Sequence, residues 1–225
     1  LHSFPTRRSS DLASTEKLRI GHHHFHDVLF EDFLRGLGQL KLPPRKKPVL
    51  PKRDKAAPAK RSASDPVTIS SLFEHINEIL DDNMVVVADV GDSLFAASDL
   101  VIHKQTEFLS PAYYTSMGFA VPAALGATMA RPELKVVVLV GDGAFQMTGM
   151  ELSTIVRRGL AVTVIVLDNR GYGTERLLLE GSFNDINPWQ YQLLPQVLGG
   201  GTGCEVRTEG EFDAAIERAL ADTTA

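Results

Sequence analysis

Residues 135–149 read KVVVLVGDGAFQMTG, a run of β-branched and aliphatic residues that ends in Gly141, Asp142 and Gly143. A short apolar run that is closed by glycine is typical of a buried β-strand. The stretch therefore predicts a strand, a tight turn and a helix that begins near Ala144. A lone carboxylate is placed at the end of that strand, between two glycines.

The same pattern recurs on both sides of this stretch. MVVVADVGD (residues 84–92) and AVTVIVLDNRGYG (161–173) predict further buried strands, and CEVRT (204–208) predicts a fourth. Near-continuous apolar strands that alternate with helices predict an α/β fold, a doubly wound parallel sheet with helices on both faces.

Four helices are predicted between and around these strands. The first is expected to begin at Pro66 with Asp65 as its N-cap. The others cover residues 118–130, 144–159 and 209–221. The first helix carries one apolar stripe, formed by Ile69, Leu72, Phe73, Ile76, Ile79 and Leu80.

Composition limits the class of protein. The chain has 225 residues, 44% of them hydrophobic, a net charge of −5 and one cysteine, Cys204. No apolar run approaches the ~20 residues that a membrane-spanning helix needs, and a single cysteine excludes an internal disulfide. We expect a soluble, cytoplasmic protein with no membrane partner.

The sequence predicts four successive segments along the chain. Residues 1–12 are expected to be a non-native segment, and residues 13–40 to form a short strand and a helix with apolar positions Leu29, Phe30, Phe33, Leu34 and Leu37. Residues 41–65 are basic and proline-rich, which predicts an extended linker. Nucleic-acid binding is the alternative for this linker, although it lacks interleaved aromatic residues. Residues 66–225 form the main domain.

Four histidines stand close together in the second part of the chain. They are His22, His23, His24 and His26. A metal site is one interpretation, but consecutive residues of a strand point to opposite faces and do not converge on one ion. An imidazole-rich strand edge is the preferred interpretation.

Polar residues follow the first three strands of the predicted sheet, where ligands bind in such folds. They are Asp89, Asp92, Asp142, Asp168 and Asn169. A strand-end aspartate often only caps the next helix, and that reading stays open. Asp142 and Asn169, however, are separated by one strand–helix–strand crossover, so their oxygens can meet at neighbouring strand ends. Oxygen ligands beside a glycine turn and a helix start suit Mg²⁺ and a diphosphate.

These residues resemble the thiamine diphosphate enzymes. GDG at 141–143, followed by DN at 168–169 and by GYGTE at 171–175, is similar to the family's cofactor signature, usually GDG and NN. The stretch from Gly141 to Tyr191 is similar to the branch of pyruvate, indolepyruvate and phenylpyruvate decarboxylases. The resemblance covers residues 16–221 and is most specific between Ala88 and Tyr191.

The resemblance implies a cofactor site. Asp142, Asn169 and the carbonyl of Gly171 would bind Mg²⁺, and Gly143 and Ala144 would offer N–H groups to the diphosphate. Thr115-Ser116-Met117 stands where the family has GSM or GSI, so Met117 would bend the cofactor and the Thr115 carbonyl would accept from its aminopyrimidine. For Met117, core packing is the alternative. The remaining cofactor positions that match are Gly141 in the turn and Asp92 at the aminopyrimidine, with a helix cap as the alternative for Asp92.

The resemblance also implies a catalytic acid and a substrate pocket. Glu175 stands where the decarboxylases carry an acid that works on the reacting carbon, and an ion pair with Arg170 or Arg176 is the alternative. Thr174 and Leu178 match positions that line the substrate pocket. Because Thr174 is smaller than the isoleucine of pyruvate-specific relatives, we expect room for an aromatic or branched 2-keto acid.

The implied activity is the decarboxylation of a 2-keto acid (indolepyruvate, phenylpyruvate or pyruvate) to an aldehyde. No segment matches the family's pyrimidine-binding domain, and residues 13–40 match the end of its middle domain. The chain is therefore expected to be a fragment of a homodimeric or homotetrameric enzyme, inactive alone and truncated at its C-terminus. The alternatives are a non-catalytic cofactor-binding module and one subunit of a split enzyme, such as an acetolactate synthase-like carboligase.

Overall fold

The computed structural model describes residues 12–41, 61–102 and 106–222. The chain divides into two compact units, Leu1–Lys55 and Ala56–Ala225. Residues 1–11 and 42–60 lie outside the described residues, and with them nearly all of the predicted non-native segment and most of the predicted linker.

The first unit holds a small antiparallel sheet and one helix. The strands are β1 (Leu12–Ala13), β2 (Lys17–Ile20) and β3 (His23–His26), and helix α1 covers Phe30–Gln39. The prediction of one strand before the helix was wrong, because β1 is two residues long and Gly21, at φ +59°, turns β2 directly into β3. Three of the four histidines lie on β3, at the edge of this sheet, as predicted.

The second unit is an α/β domain, which confirms the predicted fold class. Its parallel strands are β4 (Met84–Ala88), β5 (Glu107–Leu109), β6 (Lys135–Gly141) and β7 (Val162–Leu167), in the order β5-β4-β6-β7. The helices are α2 (Ile69–Ile79), α3 (Asp92–Ala97), α4 (Ala120–Ala130), α5 (Asp142–Thr148), α6 (Leu152–Arg157), α7 (Gly173–Arg176), α8 (Leu194–Leu198) and α9 (Glu209–Ala221).

Two apolar cores cover the two faces of this sheet. Alternate residues of β4 and β6 point to opposite faces, as the period of a strand requires. Val86, Val137 and Leu139 pack with α2 and α9, while Val85, Val136 and Val138 pack with α4, α5 and α6. Because both faces are buried, the strands are apolar at nearly every position.

Helix α2 begins later than predicted. Its N-cap is Thr68, which forms a capping box with Ser71. Pro66 instead pairs with Thr208 in an isolated antiparallel bridge. The prediction of a helix start at Pro66 with an Asp65 cap was therefore wrong, because the capping hydroxyl of Thr68 outweighs the proline signal.

The prediction of a strand at residues 204–208 was also wrong. A groove of about 1860 Å³ lies along the free edge of β7 and is lined on its other side by residues 200–207. A strand needs a hydrogen-bonded neighbour, and this groove separates the segment from β7. The sequence likewise gave no sign of β5, which is three residues long.

Helices α2 and α9 are joined by a buried polar contact. His75 Nε2 lies 2.6 Å from Glu209 Oε2, and His75 Nδ1 lies 3.1 Å from Asp213 Oδ1. Arg61 pairs with Glu74 and Glu78 on the exposed side of α2.

Among the described helices, none combines the length and apolar composition that crossing a membrane would take.

Candidate functional site

The site lies where β6 and β7 end side by side. Gly141 pairs with Leu167, so Asp142 and Asp168 follow at the same edge of the sheet. Asp142 is 1% exposed. Its Oδ1 accepts from the Gly143 N–H at 2.7 Å and its Oδ2 from the Gly171 N–H at 3.1 Å. One buried carboxylate thus links the turns that follow the two strands.

Burial raises the pKa of Asp142 from its ordinary value. The N–H groups of Gly143, Arg170 and Gly171 act in the opposite direction, and the neighbouring charge of Asp168 raises the pKa further. Within the described residues no side-chain cation pairs with Asp142. A bound cation would relieve the cost of keeping this carboxylate charged.

Glycines allow the backbone to approach closely here. A Cβ on Gly143 would lie 2.6 Å from the ring of Tyr172 and 3.7 Å from Cε of Met117. Gly171 has φ +152°, and a Cβ there would lie 2.1 Å from the carbonyl oxygen of Asn184. Both positions therefore require glycine, and Met117 is brought to the same turn as Asp142.

Asn169 and Asp92 form a second contact at this edge. Asn169 Nδ2 donates to Asp92 Oδ2 at 3.1 Å, and a Cβ on Gly173 would lie 2.8 Å from that nitrogen. The amide oxygen of Asn169 is the atom that can ligate a cation, because the amide NH₂ group is only a donor and donates here to Asp92. Thr174 lies beside Gly91, which has φ +87°.

The remaining cofactor positions lie on neighbouring turns. Ala144 is 2% exposed in the first turn of α5. Thr115 is exposed with φ +53°, and its N–H donates to the Pro111 carbonyl at 2.7 Å. Met117 is half-buried and packs against the apolar core that includes α4. It also lies close to the turn at Gly143, so the structure shows core packing and proximity to the site together.

Glu175 and Leu178 stand outside this hydrogen-bonded group. Glu175 is exposed, and Leu178 is 80% exposed beside Leu177 and Leu179. Arg176 pairs with Glu180 and Asp185, and within the described residues Glu175 has no ion pair. The predicted alternative, in which Glu175 pairs with Arg170 or Arg176, is therefore not seen there.

The sequence did not predict three residues that help to hold the turns of the site. The buried carboxylate of Asp89, the hydroxyl of Thr148 and the carbonyl of Asn184 all hold turns of the site. The sequence marked Asp89 only as a strand-end acid. Thr148 and Asn184 meet their partners through the tertiary fold, and no local pattern signals that.

The donor set suits a hard cation. The described residues include no group of three or more His, Cys, Asp or Glu side chains arranged for a metal. The set at hand is one carboxylate, one amide oxygen and one backbone carbonyl. Mg²⁺ is commonly held by one or two carboxylates, with phosphate oxygens and water in its other positions. The residues therefore fit a Mg²⁺ ion that a diphosphate completes.

Comparisons with known proteins agree with this geometry. A family model described as "Thiamine pyrophosphate enzyme, C-terminal TPP binding domain" matches residues 89–225; thiamine pyrophosphate is another name for thiamine diphosphate. The chain is 31% identical to indole-3-pyruvate decarboxylase of Azospirillum brasilense, over 96% of this chain and 41% of that protein.

Two further relatives are similar over a shorter range. Pyruvate decarboxylase 4 of Arabidopsis thaliana is 32% identical over 73% of this chain and 28% of its own length. An alpha-keto-acid decarboxylase of Mycobacterium tuberculosis is 33% identical over 77% of this chain and 32% of its own length. The chain thus spans less than half of the length of each of these relatives.

Proposed function

Since the chain belongs to the thiamine pyrophosphate enzymes through their C-terminal cofactor-binding domain, we propose that it holds thiamine diphosphate through Mg²⁺ in a 2-keto acid decarboxylase. The observation that carries this proposal is the buried Asp142 carboxylate, which touches Gly143 and Gly171 at the end of two parallel strands. Asp142, the amide oxygen of Asn169 and the carbonyl of Gly171 are the proposed Mg²⁺ ligands. The N–H groups of Gly143 and Ala144 are the proposed donors to the diphosphate.

When bound, the cofactor supplies the electron sink that decarboxylation of a 2-keto acid needs. The residues of this chain bind and orient it. Met117, half-buried above Gly143, is the proposed apolar support for its bent shape, and the Thr115 carbonyl and Asp92 are the proposed aminopyrimidine contacts. Glu175 is the proposed acid that delivers a proton to the reacting carbon once carbon dioxide has left.

The proposed substrates are 2-keto acids with an aromatic or branched side chain, and the products are aldehydes. Support comes from the names of the relatives, which include indole-3-pyruvate and alpha-keto-acid decarboxylases. Thr174 and Leu178 are the proposed pocket residues. A threonine beside Gly91 fills less space than an isoleucine, so the pocket would accept more than pyruvate.

Exposure of Glu175 bears on what this chain does alone. A general acid works best when water is excluded around it, and Glu175 lies on the surface beside three exposed leucines. We infer that a further domain, contributed in a cytoplasmic homodimer or homotetramer, covers this region in the active enzyme. The second candidate function, a cofactor-binding module without turnover, is favoured for the isolated chain by the same exposure.

A thermal-unfolding experiment tests the binding site. Thiamine diphosphate with Mg²⁺ is expected to raise the Tm of the chain, because a ligand at about 100 times its Kd stabilises the folded state by about 2.7 kcal/mol. Asp142→Ala should abolish the rise. Glu217→Ala, which removes an exposed carboxylate of α9, is the control and should keep it. An equal rise in Asp142→Ala would refute the proposed site.

A further inference from the structure

Asp89 is a buried carboxylate to which the proposed function gives no role. It is 0% exposed and follows the last residue of β4. Its own N–H donates to the Leu139 carbonyl at 2.8 Å, which fixes its backbone between β4 and β6. The side chain therefore projects from a rigid part of the sheet.

Both carboxylate oxygens of Asp89 accept from backbone N–H groups. Oδ1 accepts from Val90 at 2.9 Å and from Gly118 at 3.1 Å, and Oδ2 accepts from Ala120 at 2.8 Å. Ala120 is the first residue of α4, where N–H groups have no partner within the helix, and Gly118 lies two residues before it. The carboxylate thereby joins the end of β4 to the turn that precedes α4.

Gly118 is held from its other side as well. Thr148 Oγ1 donates to the Gly118 carbonyl at 2.6 Å. Gly118 has φ +84°, and a Cβ there would lie 3.0 Å from Thr148 Oγ1 and 3.2 Å from Cβ of Met147. Asp89 holds the N–H of this residue and Thr148 holds its carbonyl, so the peptide groups on both sides of it are fixed.

The residue before Gly118 is Met117, whose Cε lies 3.7 Å from the Cβ position of Gly143. The orientation of Met117 thus depends on the peptide that Asp89 holds. We propose that Asp89 is a positioning residue that sets Met117 against the Gly143 turn without touching the cofactor. The consequence of this positioning for catalysis rests on the proposed function.

Only a carboxylate serves all of these donors. Asparagine is the same shape but presents one oxygen and one NH₂ group. In Asp89→Asn that NH₂ group would face a backbone N–H, and one of the donors at Gly118 or Ala120 would be left without an acceptor. The turn would then lose its fixed conformation, although the apolar core around it is unchanged.

The test is a methyl NMR and amide-exchange experiment on the chain without ligand. The five methionine methyl groups are labelled with ¹³C, and Met117→Leu assigns the Met117 signal. In Asp89→Asn we expect the Met117 signal to move or broaden, and the Gly118 and Ala120 amides to exchange at least about tenfold faster. Thr148→Val should change the Met117 signal in the same direction through the other side of Gly118.

The matched control is Thr128→Val. Thr128 is buried in α4, and its hydroxyl donates to the Ala124 carbonyl at 2.9 Å, within the helix and away from the turn. This variant should leave the Met117 signal in place. If Asp89→Asn does not fold, Asp89→Glu, which keeps the charge but moves the carboxylate by one methylene, is measured in its place. A Met117 signal and Gly118 exchange rate that are unchanged in the folded Asp89 variant would overturn the proposal.

A ligand titration separates this proposal from the proposed function. In Asp89→Asn the affinity for thiamine diphosphate with Mg²⁺ should fall, while Thr128→Val keeps the wild-type affinity. If the wild-type chain binds no cofactor, the proposed function fails and the NMR result still decides whether Asp89 positions Met117. If Asp89→Asn changes the Met117 signal but binds cofactor as tightly as the wild type, the effect of Asp89 on cofactor binding is refuted even where the proposed function stands.

Discussion

The Gly171 N–H donates to Oδ2 of Asp142 at 3.1 Å, and this bond joins the turns that follow β6 and β7. Two of the three proposed Mg²⁺ ligands are therefore in direct contact. The contact depends on glycine at 171, because any side chain there would begin with a Cβ that collides with the backbone carbonyl of Asn184.

Replacement of Gly171 tests this dependence. Gly171→Ala should destabilise the chain by more than about 2 kcal/mol and remove Mg²⁺-dependent cofactor binding, since a Cβ would lie 2.1 Å from the Asn184 carbonyl oxygen. Denaturant unfolding and a cofactor titration measure the two effects.

The control for Gly171 is Gly159→Ala. Gly159 also has a positive φ, +61°, but no atom lies within 4 Å of its Cβ position. Gly159→Ala should lower the free energy of unfolding by about 1 kcal/mol from backbone strain alone and leave cofactor binding intact. Equal losses in the two variants would show that strain, and not the collision, explains Gly171.

The close approach at Gly143 gives a second prediction. Gly143→Ala should push the Tyr172 ring away, because a Cβ would lie 2.6 Å from it, and should weaken cofactor binding. We expect a loss of about tenfold, or about 1.4 kcal/mol. Gly143→Ala combined with Tyr172→Ala should recover part of the affinity, since the obstacle is then absent. A double variant as weak as Gly143→Ala would mean that glycine is needed there for another reason. Calorimetric titration measures all three affinities.

Glu209 predicts a pH dependence of stability. Burial alone would raise the pKa of Glu209, but hydrogen bonds from Ser71 and His75 and the charges of His75 and Arg61 lower it below its ordinary value of 4.5. A carboxylate whose folded pKa lies below the unfolded value adds stability above the unfolded value, and this stability is lost as the pH falls through the folded pKa.

Glu209→Gln should therefore cost about 1–2 kcal/mol near pH 6 and less as the pH falls below 4.5. Urea unfolding at a series of pH values measures the difference. Glu217→Gln, at an exposed position of the same helix, is the control and should change stability little at any pH. A Glu209→Gln cost that is the same at pH 6 and below pH 4 would contradict the pKa direction.

Glu175→Gln separates binding from chemistry. Because Glu175 is exposed and makes no ion pair within the described residues, the variant should change the free energy of unfolding by less than about 0.5 kcal/mol. It should also keep cofactor affinity, while a complete enzyme that carries it loses turnover. Lost cofactor affinity in this chain would instead make Glu175 a binding residue.

The elements of the second unit that are long and strongly patterned could be predicted from the sequence. Strand β6 and the alternation with helices followed from apolar runs closed by glycine, and α9 was predicted over the same residues, 209–221, that it covers. The predictions failed where a segment depends on a distant neighbour. Residues 204–208 have strand composition but no adjacent strand, and Pro66 pairs with Thr208 instead of starting a helix.

The candidate site likewise combines positions that could be predicted from the sequence with contacts that could not. The strand-end positions of Asp142 and Asn169 follow from chain order, because parallel strands end at one edge. The contacts of Asn169 with Asp92, and of Asp89 with Gly118, join residues 77 and 29 positions apart. Such pairs are set by how loops fold over the sheet, and no single stretch of sequence encodes them.

The most direct test of the central claim is a calorimetric titration of thiamine diphosphate into the wild-type chain, once with Mg²⁺ and once with a chelator. Thiamine without its diphosphate is titrated beside it. We expect thiamine diphosphate to bind only when Mg²⁺ is present, and thiamine to bind far more weakly, because the cation and the diphosphate hold each other at Asp142. Binding of thiamine diphosphate that is equally tight without the metal would contradict the proposed site.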